Sequence, residues 1–407
     1  MKKYFNFLIF LLLALVSTRA FSFILIEKVY FDYVEIIISV ILLLVYLSNA
    51  KKIINLKWVF PEVKWILIIT IFSFIPALIF HDQEISLGLL ASRTTYFWLG
   101  YYLLKIKNVK LRDLHNVMIF MGFLWCLIMI IQQITYPVIY FNFLNGSELE
   151  INRYEDRGNL LRIFVDGSIF GFYFLLFYWN KFIKKLDFKT IFMVLLGLSG
   201  ILLTGSRQII FSIFVVFLFS FLSKIKAITK YNTKFIYVFV SLIFLVITFA
   251  GEYLLSLVTL SLDQNVTSTS YIRILEMKFF VFEYWPNFLA VFLGNGWEHA
   301  LSNYGKEVTN FKNMYGYYRS DIGLLGALNK FGIVYILVIL SLFYRIIRRG
   351  PKLFVPDFIQ YFFLLLLLTS ISGANFFEMS SCIFVLISIL YIIDKTNEKN
   401  SNCNSHI

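Results

Sequence analysis

The chain has 407 residues, of which 59% are hydrophobic and 15% charged, and its formal net charge is +13. Soluble domains carry about a quarter charged residues, so this composition excludes an ordinary soluble protein. Apolar stretches of roughly 15–22 residues recur along the whole length, which predicts an all-α polytopic membrane protein, because lipid leaves backbone polar groups no partner outside a helix. The three cysteines and four histidines are scattered, so the sequence predicts neither a disulfide nor a metal site.

In chain order, the apolar stretches predict about twelve transmembrane helices in a single domain, residues 1–407. The first follows Lys2 and Lys3 and is predicted to be an uncleaved helix rather than a signal peptide. The predicted helices lie at 4–25, 33–49, 64–80, 85–104, 114–134, 165–180, 190–204, 208–223, 235–255, 328–344, 357–373 and 377–393. Larger external loops are predicted at about 136–164 and 256–327.

The positive charges predict the orientation. Of the 37 Lys and Arg residues, 24 lie at the termini and in alternate short loops, so the positive-inside rule places both termini in the cytoplasm. Most of the net charge is then a topology signal and not a nucleic-acid-binding surface. Of the other 13, eight are arginine, against four of the 24 inside. Because arginine holds phosphate through two parallel hydrogen bonds, an anionic ligand is predicted outside, with a coding bias towards lysine as the alternative.

Arg207 interrupts an apolar run, in the stretch "LLTGSRQ". Gly205 permits a tight turn and Ser206 can cap the next helix. A cation at a helix N-terminus is unfavourable unless an anion shares the site, so Arg207 is predicted to bind an anion. An arginine that reaches to the membrane interface is the alternative.

Further candidates lie in the two external loops. In the first loop, Arg162 is nearest to the bilayer and has no acid beside it. In the second, Thr269 or Ser270 can cap a helix over about 271–284 that carries Arg273 in its first turn. The loop is rich in aromatic residues suited either to sugar stacking or to the membrane interface, among them Trp297, Tyr317 and Tyr318.

The second loop ends in Arg319, Ser320 and Asp321, directly before an apolar helix. Asp321 is a candidate general base for a sugar hydroxyl, and an N-cap is its alternative role. Arg319 stands beside it and joins the predicted anion site. His299 is the second base candidate.

The order of these pieces resembles the O-antigen polymerase and O-antigen ligase superfamily of bacterial envelope proteins. The matching stretches are "LLTGSRQ", "SYIRILEMKFF", "FLGNGW" and "RSDIGLLGALNKFGI". The resemblance implies a helical bundle in the bacterial inner membrane with a helical periplasmic cap. It also implies glycosyl transfer on the outer face from undecaprenyl-pyrophosphate-linked glycans, without a metal or other cofactor. The pyrophosphate-binding arginines would correspond to Arg207 and Arg273, with Arg162 as a third.

The sequence departs from the ligase pattern at one place. Ligases tend to carry a histidine followed by asparagine where this chain has Ser320 and Asp321. This favours a repeat-unit polymerase for O-antigen or a related surface polysaccharide. An O-antigen ligase remains an alternative, as does a lipid-linked glycan flippase or another transporter. Expected partners are lipid-linked glycans, membrane lipid, and a chain-length regulator and flippase of the same pathway, with no nucleic acid.

Overall fold

A computed structural model describes residues 2–24, 26–54, 60–141, 156–157, 160–161, 165–231, 269–350, 355–371, 373 and 376–404. These residues are helical apart from short connections, so the predicted helical fold class is confirmed. Within them, the strand pairing is limited to an antiparallel two-residue ladder, Asp156–Arg157 with Leu160–Leu161, and a bridge between Phe23 and Phe141.

The described α-helices are numbered here in chain order. They are α1 Lys2–Ser17, α2 Lys28–Ser48, α3 Ala50–Ile54, α4 Glu62–Phe72, α5 Phe74–His81, α6 Ile85–Ala91, α7 Gly100–Lys107, α8 Leu111–Thr135, α9 Ser168–Lys184, α10 Phe188–Leu202, α11 Arg207–Tyr231, α12 Thr269–Lys278, α13 Phe288–Leu293, α14 Asn303–Tyr315, α15 Leu324–Arg349, α16 Asp357–Ser370 and α17 Ser380–Asn404. Shorter turns complete the set: a left-handed turn at Arg19–Ser22, 3-10 helices at Arg93–Leu99 and Arg319–Ile322, and a π-helical turn at Phe279–Glu283.

Within the described residues, six segments are long and apolar enough to cross a membrane: Val29–Ser48, Glu62–His81, Leu111–Thr135, Arg207–Lys224, Leu324–Arg348 and Ser380–Glu398. Each coincides with a predicted span. Three shorter apolar helices, Phe7–Ser17, Phe188–Leu202 and Asp357–Ser370, coincide with three more. The predicted span at 235–255 lies outside the described residues. Twelve spans are therefore not confirmed, and that number stays a prediction.

The predicted helix at 85–104 is wrong in form. The chain breaks there into α6, the 3-10 helix Arg93–Leu99 and α7. The 3-10 helix begins at Arg93, whose guanidinium lies 2.7 Å from the Asp32 carboxylate of α2. This ion pair across two elements is a tertiary contact that the hydropathy of the segment does not show.

The centre of the bundle is α9, which packs against α8, α10 and α16. Trp125 of α8 and Trp179 of α9 are both fully buried. The Trp179 ring stacks on Phe217 at 3.9 Å between centroids, and its Nε1 donates to Ser220 Oγ at 2.6 Å. Outer helices expose apolar stripes instead: Tyr33, Ile37, Ile41 and Leu44 lie exposed at helical spacing on α2, as expected of a lipid-facing surface.

Polar contacts collect at two ends of the bundle. At the lysine-rich end, Lys105 pairs with Asp394, Lys224 with Asp357 and Arg345 with Glu62. At the opposite end, Arg93 pairs with Asp32, His81 with Glu307 and Lys330 with Glu378. Each of these pairs joins segments that the charge count places on one side of the membrane. The end opposite the lysine-rich end is the predicted outer end of the bundle.

Candidate functional site

Helix α15 is broken at Gly332, and the break receives the "GNGW" turn. Gly332 has φ 78° and ψ 175°, far from helical values. The carbonyls of Asn329 and Lys330, just before the break, accept hydrogen bonds from the backbone N–H groups of Asn295 and Gly296, each at 2.8 Å. A Cβ added at Gly332 would collide with the Phe292 carbonyl, so the contact requires glycine. The "GNGW" turn is thus part of the helix packing.

Beside this turn lies a buried network around Arg319. Its guanidinium side chain is 2% exposed and pairs with Glu298 at 3.1 Å. It also donates to Tyr304 Oη at 2.8 Å and to Asn329 Oδ1 at 3.3 Å. Burial lowers the pKa of Arg319, but Glu298, Tyr304 and Tyr284 together more than offset this, and the net shift of the pKa is upward. The pair of buried Arg319 and partly exposed Glu298 is therefore ionised, and these contacts hold the loop on α15.

Trp297 belongs to the same packing. Lys330 places its ammonium 4.2 Å from the centre of the Trp297 ring and 2.6 Å from Glu378 Oε2. The Trp297 carbonyl accepts a hydrogen bond from Gln83 Nε2 at 2.6 Å. One face of the predicted sugar-binding ring is thus occupied by a lysine of the same chain.

A buried carboxylate, Glu276, defines the candidate site. Glu276 lies on α12, is 1% exposed, and accepts the backbone N–H of Tyr318 at 3.0 Å. Burial raises the pKa of Glu276 to about 7; the Tyr318 N–H and the Arg273 charge oppose the rise, and the Asp321 charge adds to it. The structure therefore brings Arg273, Glu276 and Asp321 together, with one buried acid and an exposed arginine and aspartate around it.

Asp321 does not cap the helix that follows it. It lies exposed in the 3-10 helix Arg319–Ile322, where its Oδ1 accepts a hydrogen bond from Ser320 Oγ at 3.1 Å. The N-cap of α15 is Gly323, which has φ 53° and makes no side-chain cap. The capping alternative for Asp321 is therefore wrong, and the charge of Asp321 instead acts on Glu276, whose pKa it raises.

Helix α11, which begins at Arg207, and the start of α15 share a neighbour, the end of α16. Gly205 adopts φ 59° and Arg207 is the first residue of α11, as predicted for this turn. The adjacent Gln208 donates to the Thr369 carbonyl at 2.7 Å, at the end of α16. A Cβ at Gly323 would collide with the carbonyls of Ser370 and Gly373. The start of α11 and Gly323 therefore both contact the end of α16, at Thr369 and at Ser370.

The remaining predicted site residues lie apart or outside. His299 is half-buried, donates its backbone N–H to Gln83 Oε1 at 2.9 Å, and its Nδ1 accepts from Leu301 N at 3.3 Å. None of the contacts seen in the described ranges joins His299 to Asp321. Tyr317 packs on Phe279, and Lys312 lies over the Tyr318 ring, close to Glu276. Arg162 lies outside the described residues.

The excess of outer arginines has a partly structural explanation. Arg19 and Arg93 both pair with Asp32 and with the fully buried Glu35 of α2, and Arg319 pairs with Glu298. These three arginines therefore hold elements of the fold together, and the anion-binding role of Arg207 and Arg273 stays a prediction.

Glu276 is the residue that sequence reasoning missed. A signal was present: in "YIRILEMK", Glu276 follows Arg273 by three residues and so lies on the same face of a helix. Its burial, however, is a tertiary property, and the Tyr318 N–H that bonds to its carboxylate lies 42 residues further along the chain. In the described parts of the chain, no group of three or more His, Cys, Asp or Glu residues is arranged to hold a metal ion.

Comparison with known proteins adds no family. No protein-family model matches this sequence, and no curated protein matches it either.

Proposed function

We propose that this chain is a membrane-bound glycosyltransferase that polymerises undecaprenyl-pyrophosphate-linked repeat units into O-antigen or a related surface polysaccharide. The resemblance of its motifs supplies the reaction class. The observation that carries the proposal is Glu276, a buried carboxylate whose pKa lies at about 7 beside Arg273 and Asp321. A general base works best when its pKa is near the working pH, and buried acids with charged neighbours are typical of active sites.

The chemistry assigned to these residues is a single displacement. Glu276 accepts the proton of the acceptor hydroxyl, whose oxygen forms a bond to the anomeric carbon of the donor. The bond between that carbon and the pyrophosphate oxygen breaks. Arg207 and Arg273 stabilise the negative charge that grows on the leaving pyrophosphate. Asp321 raises the pKa of Glu276 and orients the acceptor. The twelve-span topology, with both termini in the cytoplasm, belongs to this proposal, because it places the site outside.

A glycan ladder from a deletion strain complemented with variants tests the proposal. Glu276→Gln keeps an oxygen that can accept the Tyr318 N–H but cannot take a proton, so we expect single repeat units on the acceptor. Asp321→Asn should shorten the chains. Glu283→Gln is the matched control, since Glu283 is an exposed acid of the same region that pairs with Lys278 at 3.5 Å. A normal ladder from Glu276→Gln, at matched protein levels, would refute the assignment of the base.

The arginines have their own test. Arg207→Lys and Arg273→Lys keep the charge but lose the planar fork that holds two phosphate oxygens. We expect shortened chains from both variants. Arg348→Lys, at the lysine-rich end, is the control and should leave the ladder unchanged. Wild-type ladders from both Arg207→Lys and Arg273→Lys would contradict a pyrophosphate site at these residues.

The same ladder separates the alternatives. Loss of a polymerase leaves one repeat unit on the acceptor, and loss of a ligase leaves none. A transporter is the second candidate, because α15 is broken at Gly332 beside the Lys330–Glu378 pair, and broken helices line transport sites. Accumulation of lipid-linked single units on the cytoplasmic side would favour that candidate over the polymerase.

A further inference from the structure

The segment from Phe279 to Gly296 has the composition of a membrane element, although it lies within a predicted external loop. Its sequence, "FFVFEYWPNFLAVFLGNG", contains one charged residue, Glu283. At 18 residues it is interrupted by a proline and by the turn into α13, so it is not a spanning helix. Apolar stretches of 10–14 residues are typical of buried, interfacial or re-entrant segments.

Its contacts place the end of this segment at membrane depth. Gly296 packs on Ser73 and Ala77 of the candidate span Glu62–His81. That span has 20 residues and, at about 1.5 Å per residue, matches a hydrocarbon core of about 30 Å. Ser73 lies eight residues before the end at His81, which is roughly 12 Å inside.

A second helix gives the same depth independently. The N–H groups of Asn295 and Gly296 bond to the carbonyls of Asn329 and Lys330, and Phe292 packs against Gly332. These α15 residues lie five to eight positions inside the candidate span Leu324–Arg348, or roughly 8–12 Å from its outer end. Two helices therefore agree on the level at which this segment turns.

The backbone and the side chains of the segment suit that depth. Irregular backbone within a bilayer is tolerated where protein satisfies its polar groups, and here α15 accepts the N–H groups of the turn. Away from the bundle, Phe282 is 71% exposed, Phe288 72% and Phe292 41%. Phe288 and Phe292 pack edge to face, 4.8 Å apart. This aromatic surface lies at the level of the exposed apolar stripe of α4 and α5, which includes Ile71 and Ile75.

We propose that Phe279–Gly296 is a re-entrant membrane element whose exposed aromatic surface contacts the acyl chains of the outer leaflet. The predicted loop is then only partly aqueous: α14, a polar helix with exposed Lys306 and Asn310, remains in water. The single charge within the element, Glu283, is offset by its pairing with Lys278. This inference stands on packing and exposure, and only the assignment to the outer leaflet rests on the orientation given in the proposed function.

Spin labels on single cysteines in reconstituted vesicles test the inference. Labels replace Phe282, Phe288 and Phe292, with Ile71→Cys as the lipid control and Asn310→Cys as the water control. The native Cys126 and Cys382 are buried, and Cys403 is replaced by Ser. Collisions with oxygen report lipid exposure, and collisions with a water-soluble nickel chelate report water.

We expect the labels at Phe288 and Phe292 to match Ile71, with high oxygen and low nickel collision rates, and the label at Phe282 to lie nearer the interface. Nickel collision rates at Phe288 and Phe292 equal to those at Asn310 would overturn the proposal, because the surface would then face water. Low rates with both reagents would also overturn it, because the surface would then be covered by protein.

Discussion

The ionisation of Glu276 makes a quantitative prediction about pH. An ordinary glutamate has a pKa of about 4.5, whereas burial raises that of Glu276 to about 7. With a pKa near 7, about a tenth of the side chains are ionised at pH 6 and about nine tenths at pH 8. If ionised Glu276 is the base, the initial rate at pH 6 should be roughly one tenth of its plateau. A base with an ordinary pKa would be almost fully ionised at both pH values, and the rate would change little.

The neighbours of Glu276 give two shifts of opposite sign. The Asp321 charge raises the pKa of Glu276 and the Arg273 charge lowers it. Asp321→Asn should therefore move the midpoint of the pH–rate profile downward, and Arg273→Gln should move it upward. The rate is measured in vesicles with the lipid-linked repeat unit extracted from the deletion strain. A profile flat from pH 6 to 8, or shifts of the same sign in both variants, would refute the reasoning.

A measurement without substrate separates the ionisation from the function. The infrared difference spectrum of the purified protein between pH 5 and pH 8 should contain a protonated carboxyl band that Glu276→Gln removes. The sign for stability follows from the same shift. Because folding raises the pKa of Glu276, protonation of Glu276 stabilises the folded state in full below about pH 4.5. This stabilisation is lost as the pH rises through about 7. If Glu276→Gln removes the infrared band but leaves the glycan ladder unchanged, Glu276 is a buried protonated acid without a catalytic role.

Three further predictions concern topology and packing. A reporter fused after Lys226 should be cytoplasmic and one within Asn303–Lys312 external, and the reverse result would overturn the side assignment. Gly332→Ala should lower the thermal unfolding temperature markedly, since its Cβ would meet the Phe292 carbonyl. Gly316→Ala, also at positive φ but with open space around it, should cost only about 1–2 kcal/mol of stability. Equal losses of stability in the two variants would contradict the role of the break. Arg319→Ala should lower the unfolding temperature, because it removes the ion pair with the partly exposed Glu298 and the hydrogen bonds to Tyr304 and Asn329, and an unchanged unfolding temperature would argue against a structural role.

Local properties of the sequence were enough for the helical class and for most spans. In lipid, the backbone N–H and C=O groups of an apolar run need partners within the run, so the run forms a helix wherever it lies in the chain. The six long apolar helices of the described residues accordingly coincide with predicted spans. The turn at Gly205 and the helix start at Arg207 follow equally from local backbone preference. The alternation of lysine-rich loops sorted the segments into two ends, and the ion pairs join segments of the same end.

Tertiary structure decided what the polar residues do, because their partners lie far away in the chain. Arg319 looked like a ligand residue beside Asp321, but Glu298 and Tyr304 enclose it. The apolar continuity of α15 concealed its break at Gly332, which is stable only because the turn at Asn295 supplies the missing donors. Glu276 resembles any helical acid in sequence, and its burial and its hydrogen bond from Tyr318 arise only in the folded chain. Desolvation depends on neighbours in space, so no local pattern specifies which carboxylate is buried.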